Sequence, residues 1–159
     1  MHPQIEALLD QAENRYLKPE ELVLLDKYVN SLPDRLETYR RLRDQEVTIM
    51  QQAVDQVQIE MPQVSTVDLE RSIKNTLLVV RYCAMSMLLD DVTFIQERLL
   101  GWLSRNVQVY NTQAIDRALY RHLEKALTQA LGPKSMSFLQ PFLVTARDAV
   151  LNPGSSVTA

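Results

Sequence analysis

A chain of 159 residues, 46% of them apolar and 23% charged, is one domain's length and too apolar to remain disordered. Its net charge of −3 argues against nucleic acid as a bulk electrostatic partner, and a single cysteine excludes an internal disulfide framework and fits a reducing compartment. No apolar run approaches 18 residues, so no membrane span is expected, and Met1-His2-Pro3-Gln4 lacks the basic and apolar blocks of a signal peptide, so the location is expected to be cytoplasmic. Only three glycines interrupt a Leu- and Gln-rich chain, which points to an all-α fold.

In chain order, Ile5, Leu8 and Leu9 predict a short amphipathic helix over 3–14. Pro19, followed by Glu20 and Glu21, reads as the start of a second helix, with acidic residues placed to suit the helix dipole. Leu22, Leu25 and Val29 give it an apolar stripe, and it is expected to stop near Asn30-Ser31-Leu32-Pro33. Asp34 with Glu37 has capping-box spacing and opens a long helical stretch to about Met61, bent near the β-branched run Val47-Thr48-Ile49. Pro62 breaks the pattern. Ser65 and Asp68 then begin a helix with Ile73, Leu77, Val80, Ala84 and Leu88 in a three-to-four-residue rhythm. After an Asp90-Asp91 junction, Val92 to Ser104 forms the next, with Ile95, Leu99, Trp102 and Leu103 facing inward. Asn111-Thr112 starts another, closed by Gly132-Pro133 as a terminating glycine and proline. Ser135 caps a last helix through Val150, and 152–159 reads as a flexible tail. The expectation is one domain over 1–151, with a helical pair at 1–31 and a core at 34–151.

Chemistry-bearing motifs are scarce: no HExxH, CxxC, P-loop or GxSxG occurs. His122 is a lone helical histidine, more often a surface residue than a ligand. Cys83 on an apolar helix reads as a buried, inert thiol. Arg35, Arg40, Arg41 and Arg43 are interleaved with Asp34, Glu37, Asp44 and Glu46, the pattern of a solvated, salt-bridged face. Asp90-Asp91 could be a carboxylate pair but reads as a helix N-cap. Met85 and Met87 could line an adaptable pocket, although core filling is commoner. No enzymatic activity and no metal site are expected.

Longer segments carry a resemblance. "QAENRYLKPEEL" (11–22) is similar to the opening of allophycocyanin-type phycobiliproteins, which read D-A-E-x-R-Y-L-x-x-x-E-L there. "QQAVDQ" and Met61-Pro62 fill further family positions, and "DVTFIQE" (91–97) falls on the family's DVTPIEE. Tyr110-Asn111-Thr112 resembles the YNSLG turn without its glycine. Between them, Ser72-Ile73-Lys74-Asn75 falls on C-L-R-D, and Arg81 on the arginine of YYLR. The resemblance implies a globin-like phycobilisome-type domain with a two-helix N-terminal extension.

In that family the Cys of C-L-R-D forms a thioether to an open-chain tetrapyrrole, the Arg pairs with a propionate, and the Asp accepts hydrogen bonds from pyrrole nitrogens. A serine hydroxyl is no nucleophile without a nearby base, so Ser72 is not expected to attach a bilin. Lys74 keeps the charge and loses the guanidinium fork; Asn75 keeps an acceptor and loses the charge. Leu78-Val79 replaces the tyrosine pair beside the chromophore, and the stretch from Pro62 to Ser72 is shorter than the family's pocket-covering loop. Cys83 lies about three turns further along, roughly 16 Å from Ser72 at ~1.5 Å per residue, and is no substitute. Ser72, Lys74 and Asn75 therefore read as the remnant of a bilin site.

The resemblance also places subunit pairing on the N-terminal helices, where an acidic residue meets the partner's YYLR arginine. Here Gln11 stands in the acid's place while Arg81 remains; with Tyr16, Leu17 and Leu25 these residues form the expected interface. Apolar stripes over 3–31 independently favour a homo- or heterodimer. The expected function is that of a chromophore-free, phycobiliprotein-like binder of phycobilisome or other photosynthetic-complex proteins at the thylakoid surface, without a covalently bound cofactor. The alternative is non-covalent handling of a bilin or chlorophyll derivative. A globin-like sensor ranks third, because no His sits where a proximal ligand is expected and His122 comes one helix too late.

Overall fold

A computed structural model describes residues 2–152. The remainder of the expected tail, from residue 153, lies outside the described residues. The elements are α1 (Pro3–Ala12), α2 (Pro19–Glu60), α3 (Thr66–Leu89), α4 (Thr93–Ile95), a π-helical turn (Gln96–Leu100), α5 (Gly101–Tyr110) and α6 (Gln113–Leu151). No strand occurs among the described residues. The all-α expectation holds.

The main departure is α2. The break expected at residues 31–34 is absent, and one 42-residue helix runs through Pro33. Pro33 supplies no N–H to the Val29 carbonyl, but both residues are exposed, so water can take that acceptor. Asp34 is consequently an interior helical residue rather than a cap, and it pairs with Lys134 at 3.1 Å. The true start is well closed. Lys18 N–H donates to Glu21 Oε2 at 2.7 Å, and Arg15 grips both carboxylate oxygens at 2.8 and 2.9 Å. Arg15, then the Lys18 amide, holds the Glu21 carboxyl down at about 2.

Helix α3 opens as expected: Ser65 Oγ accepts from Asp68 N–H at 3.2 Å. It closes on Asp90 in the left-handed region (φ 47°), with Asp91 N–H donating to the Ser86 carbonyl at 3.0 Å, a Schellman-type end. Asp90 is thus a C-cap, while Asp91 meets the N-cap expectation in part: its Oδ1 accepts from Thr93 N–H at 3.0 Å as the next helix starts. Helix α5 ends the same way on Asn111 (φ 54°), with Thr112 N–H reaching the Val107 carbonyl.

Two arginines expected in solvent are structural. Arg35 donates to the Met87 carbonyl at 2.6 Å and to Ser31 Oγ at 2.9 Å, lies 3.5 Å from Asp90, and sits over the Phe138 ring. Arg41 donates to the Leu131 and Ala130 carbonyls at 2.8 and 2.7 Å. Both cap C-terminal carbonyls of a neighbouring helix, where a cation also meets the negative end of the dipole. Arg40 and Arg43 remain exposed, as expected.

Helix α6 packs on both α2 and α3, and α5 lies against it, enclosing one core that includes Val57, Val79, Met87, Leu103, Leu119, Leu127 and Leu139. At Gly132 the backbone turns sharply (φ 78°, ψ 169°), dividing α6 where the Gly-Pro pair predicted a helix end. A Cβ at Gly132 would meet no atom within 4 Å, so its cost is one of backbone conformation alone. Gly132→Ala is expected to cost about 1–3 kcal/mol and lower the thermal midpoint by roughly 2–12 °C.

Trp102 is a second correction. It is half exposed, and the buried positions are Ile95, Leu99, Leu100, Leu103 and Val107. The π turn at 96–100 inserts an extra residue into the repeat, which shifts the buried stripe one position toward the C-terminus. Leu36, an apolar position in the same part of α2, is likewise exposed.

Candidate functional site

Ser72, Lys74 and Asn75 lie in the second and third turns of α3 and diverge. Lys74 is exposed. Asn75 crosses to α5, where its Nδ2 donates to Asn106 Oδ1 at 3.1 Å. Ser72 is fully buried and faces α6, with Thr76 one turn on and also buried. Ser72 and Lys74 are about 200° apart around the helix, one in the core and the other in water.

Opposite Ser72 stands Asp116, only 1% exposed, in the first turn of α6. Thr112 Oγ1 donates to Asp116 Oδ2 at 2.7 Å. Ser72 Oγ, Thr76 Oγ1 and Asp116 Oδ1 have no protein hydrogen-bond partner. Burial pushes the Asp116 carboxyl above its usual range, partly offset by the Thr112 hydroxyl that donates to it. Buried Tyr120, one turn further, is pushed up by burial and then by Asp116 and Cys83. The sequence signal for this cluster was faint: Asp116 reads as an ordinary acidic residue in a first helical turn.

A raised carboxyl makes the native state hold its proton more tightly than the unfolded chain does. Its contribution to stability is present below the unfolded value, about 3.9, and is lost as pH rises through the folded value. Asp116→Asn is neutral at every pH and keeps an acceptor for Thr112. It is expected to match the wild type in acid and to unfold about 2–4 °C higher at pH 8, read from thermal midpoints across pH.

Cys83 is fully buried, and burial raises its thiol, so it is neither a nucleophile nor a ligand at ordinary pH. Met87 is core, whereas Met85 is partly exposed. His122 Nε2 lies 2.7 Å from Glu60 Oε2, and Arg121 contacts the same carboxylate. Arg121 first, then His122, holds Glu60 below its usual range. No group of three or more His, Cys, Asp or Glu side chains converges as for a metal among the described residues.

The expected interface residues lie at the surface. Gln11 is exposed, Tyr16 is 99% exposed, and Leu17 and Leu25 are half-buried. Leu9, Leu22, Val23 and Val29 extend the apolar face, with a shallow cleft over Leu22, Leu25 and Val29. Arg81 projects from α3, but its guanidinium is engaged within the chain, donating to both oxygens of Glu46 at 2.8 and 3.0 Å. Beside that pair a cleft of about 150 Å³ opens over Tyr39, Leu42, Arg43, Val80 and Ala84. No described helix is long and apolar enough to cross a membrane.

A family model described as "Phycobilisome protein" matches residues 9–149. No curated protein matches the chain.

Proposed function

The chain belongs to the phycobilisome protein family, and on that premise we propose that it is a chromophore-free member that docks on phycobiliproteins or related photosynthetic assemblies, in their assembly, turnover or regulation. Members of this family are structural light-harvesting proteins rather than enzymes. The observation that carries the reading is the apolar face of the N-terminal segment, with Tyr16 almost wholly in water and Leu9, Leu22, Val23 and Val29 about half or more exposed. Such a surface is covered in a complex more readily than in solution.

Absence of a covalent bilin is supported by chemistry. Position 72 offers a buried hydroxyl facing a carboxyl, not an accessible thiolate. Lys74 keeps a cation for a propionate, but Asn75 is tied to Asn106 through its Nδ2, and its amide oxygen carries no charge to hold a protonated pyrrole system. The pairing implied by the family resemblance is altered on both sides, with Gln11 in place of an acid and Arg81 closed on Glu46. Docking through residues 3–31 therefore relies more on apolar contact than on that ion pair.

The test is an absorption spectrum of protein co-produced with bilin-forming enzymes, before and after acid-urea denaturation, followed by capture from a phycobilisome-containing lysate. A colourless protein that retains phycobiliproteins is the expected result. Colour that survives denaturation identifies a covalent bilin and overturns the reading of Ser72. Colour released by denaturation identifies a non-covalent tetrapyrrole handler, with Lys74→Ala as the variant to compare.

A further inference from the structure

Buried polar atoms without a partner in the chain are rare, and three of them lie in the seam between α3 and α6. They are Ser72 Oγ and Thr76 Oγ1 on α3 and Asp116 Oδ1 in the first turn of α6. All three residues are 1% exposed or less. Within the chain they do not pair with one another. Ser72 and Thr76 stand one turn apart, about 5–6 Å between Cβ atoms, and neither hydroxyl bonds to the other. Ser72 stands opposite Asp116 without a direct hydrogen bond to it. Thr112 Oγ1 holds Asp116 Oδ2 at 2.7 Å, which leaves Oδ1 for a different donor. Tyr120, buried one turn further along α6, is acted on by both Asp116 and Cys83 and closes the seam beyond them. Ser86 Oγ is also unpaired, but it lies roughly 15 Å further along α3 and belongs to no such group.

These atoms select their ligand. It must donate to a carboxylate oxygen, accept from two hydroxyls and fit between packed helices. An anion is repelled by Asp116, and an apolar group leaves all three atoms with an uncompensated desolvation cost. A metal ion finds one carboxylate and no convergent group of three or more His, Cys, Asp or Glu side chains among the described residues. Water matches each requirement, and about three hydrogen bonds are the usual complement of an internal water.

We propose that one buried water molecule bridges α3 and α6, donating to Asp116 Oδ1 and accepting from the hydroxyls of Ser72 and Thr76. Position 72 then carries a water bridge to α6 where the family resemblance places a thioether. The site stands on the interior of this chain alone and does not depend on what the protein docks with.

Magnetic relaxation dispersion of the water oxygen nucleus tests it on the full chain. The method counts long-lived internal waters and is blind to hydroxyl protons that exchange with solvent. Ser72→Ala with Thr76→Val should lose the amplitude of about one water relative to the wild type. Thermal unfolding of Thr76→Val alone supplies an independent sign. Valine keeps the shape and the β-branch of threonine, so packing and helix preference change little. With the water in place, the midpoint should fall by about 2–4 °C, because the water loses a partner. In a dry seam it should rise, because an unpaired hydroxyl gives way to a methyl group. Both substitutions are isosteric or smaller, so circular dichroism should show folded chains. Equal amplitudes in the wild type and the double variant overturn the proposal, and so does a raised midpoint in Thr76→Val. A direct Ser72–Asp116 hydrogen bond in place of the water gives both of those results.

Discussion

Arg41→Ala should unfold with a thermal midpoint roughly 6–12 °C below the wild type. The Arg41 guanidinium donates to the carbonyls of Ala130 and Leu131, just before the Gly132 turn interrupts α6. The turn deprives those carbonyls of their ordinary helical donors, so Arg41 supplies what the chain direction takes away. Charge-assisted bonds contribute more than neutral ones, and losing two with the acceptors left in a partly covered seam costs about 3 kcal/mol. At ~2–4 °C per kcal/mol for a domain of this size, that gives the stated drop. Arg41→Lys should recover only part of it, because one ammonium cannot reproduce the fork. Arg43→Ala, two residues on and exposed, should shift the midpoint by less than about 2 °C. Equal losses at positions 41 and 43 would show that overall charge, not the Gly132 carbonyls, sets the effect.

The comparable result at the other end of the domain is Arg35→Ala, also at about 3 kcal/mol in urea unfolding. Its side chain is 11% exposed and touches the Met87 carbonyl, Ser31, Asp90 and the Phe138 ring. Removal leaves the last turn of α3 without its cation and strips cover from Phe138. Arg40→Ala is the matched control, since Arg40 is over half exposed and reaches Glu37 only at 3.9 Å. Arg35→Met separates packing from charge: it restores the stem's contact and not the bond to Met87.

These four arginines show what was legible in the sequence. Their interleaving with acids fits a solvated face, and that holds for Arg40 and Arg43. Periodicity alone did not distinguish the inward pair, because an arginine capping a distant helix end leaves no local mark; its partners are backbone carbonyls 52 to 90 residues away. The course of α2 departs from its local signals for a related reason. Pro33 and the Asp34–Glu37 spacing both favour a boundary locally, yet the inward-facing residues on either side of Pro33 are in phase, and tertiary contacts carry the helix through. Gly132 and Ser65 were readable because a left-handed turn and a side-chain cap are local chemistry. At the site, the loss of a thiol at position 72 was plain from the residue itself. Its burial against Asp116 was not, since that contact joins α3 to a helix starting forty residues later.

The length of α2 has a kinetic corollary. Its fully buried residues begin only at Thr38 and continue to Val57, and the nineteen residues before them are held to the domain mainly through Tyr28 and Arg35. Their amides can open by fraying from the N-terminus, whereas those from 38 to 57 open only when the core does. Hydrogen–deuterium exchange along this one helix should therefore run from fast to slow, with the gradient steepest around residues 35–38. A partner seated on the outer half would erase the gradient from the fast end inward, so the exchange rates of Val23 to Asn30 report occupancy of that surface directly.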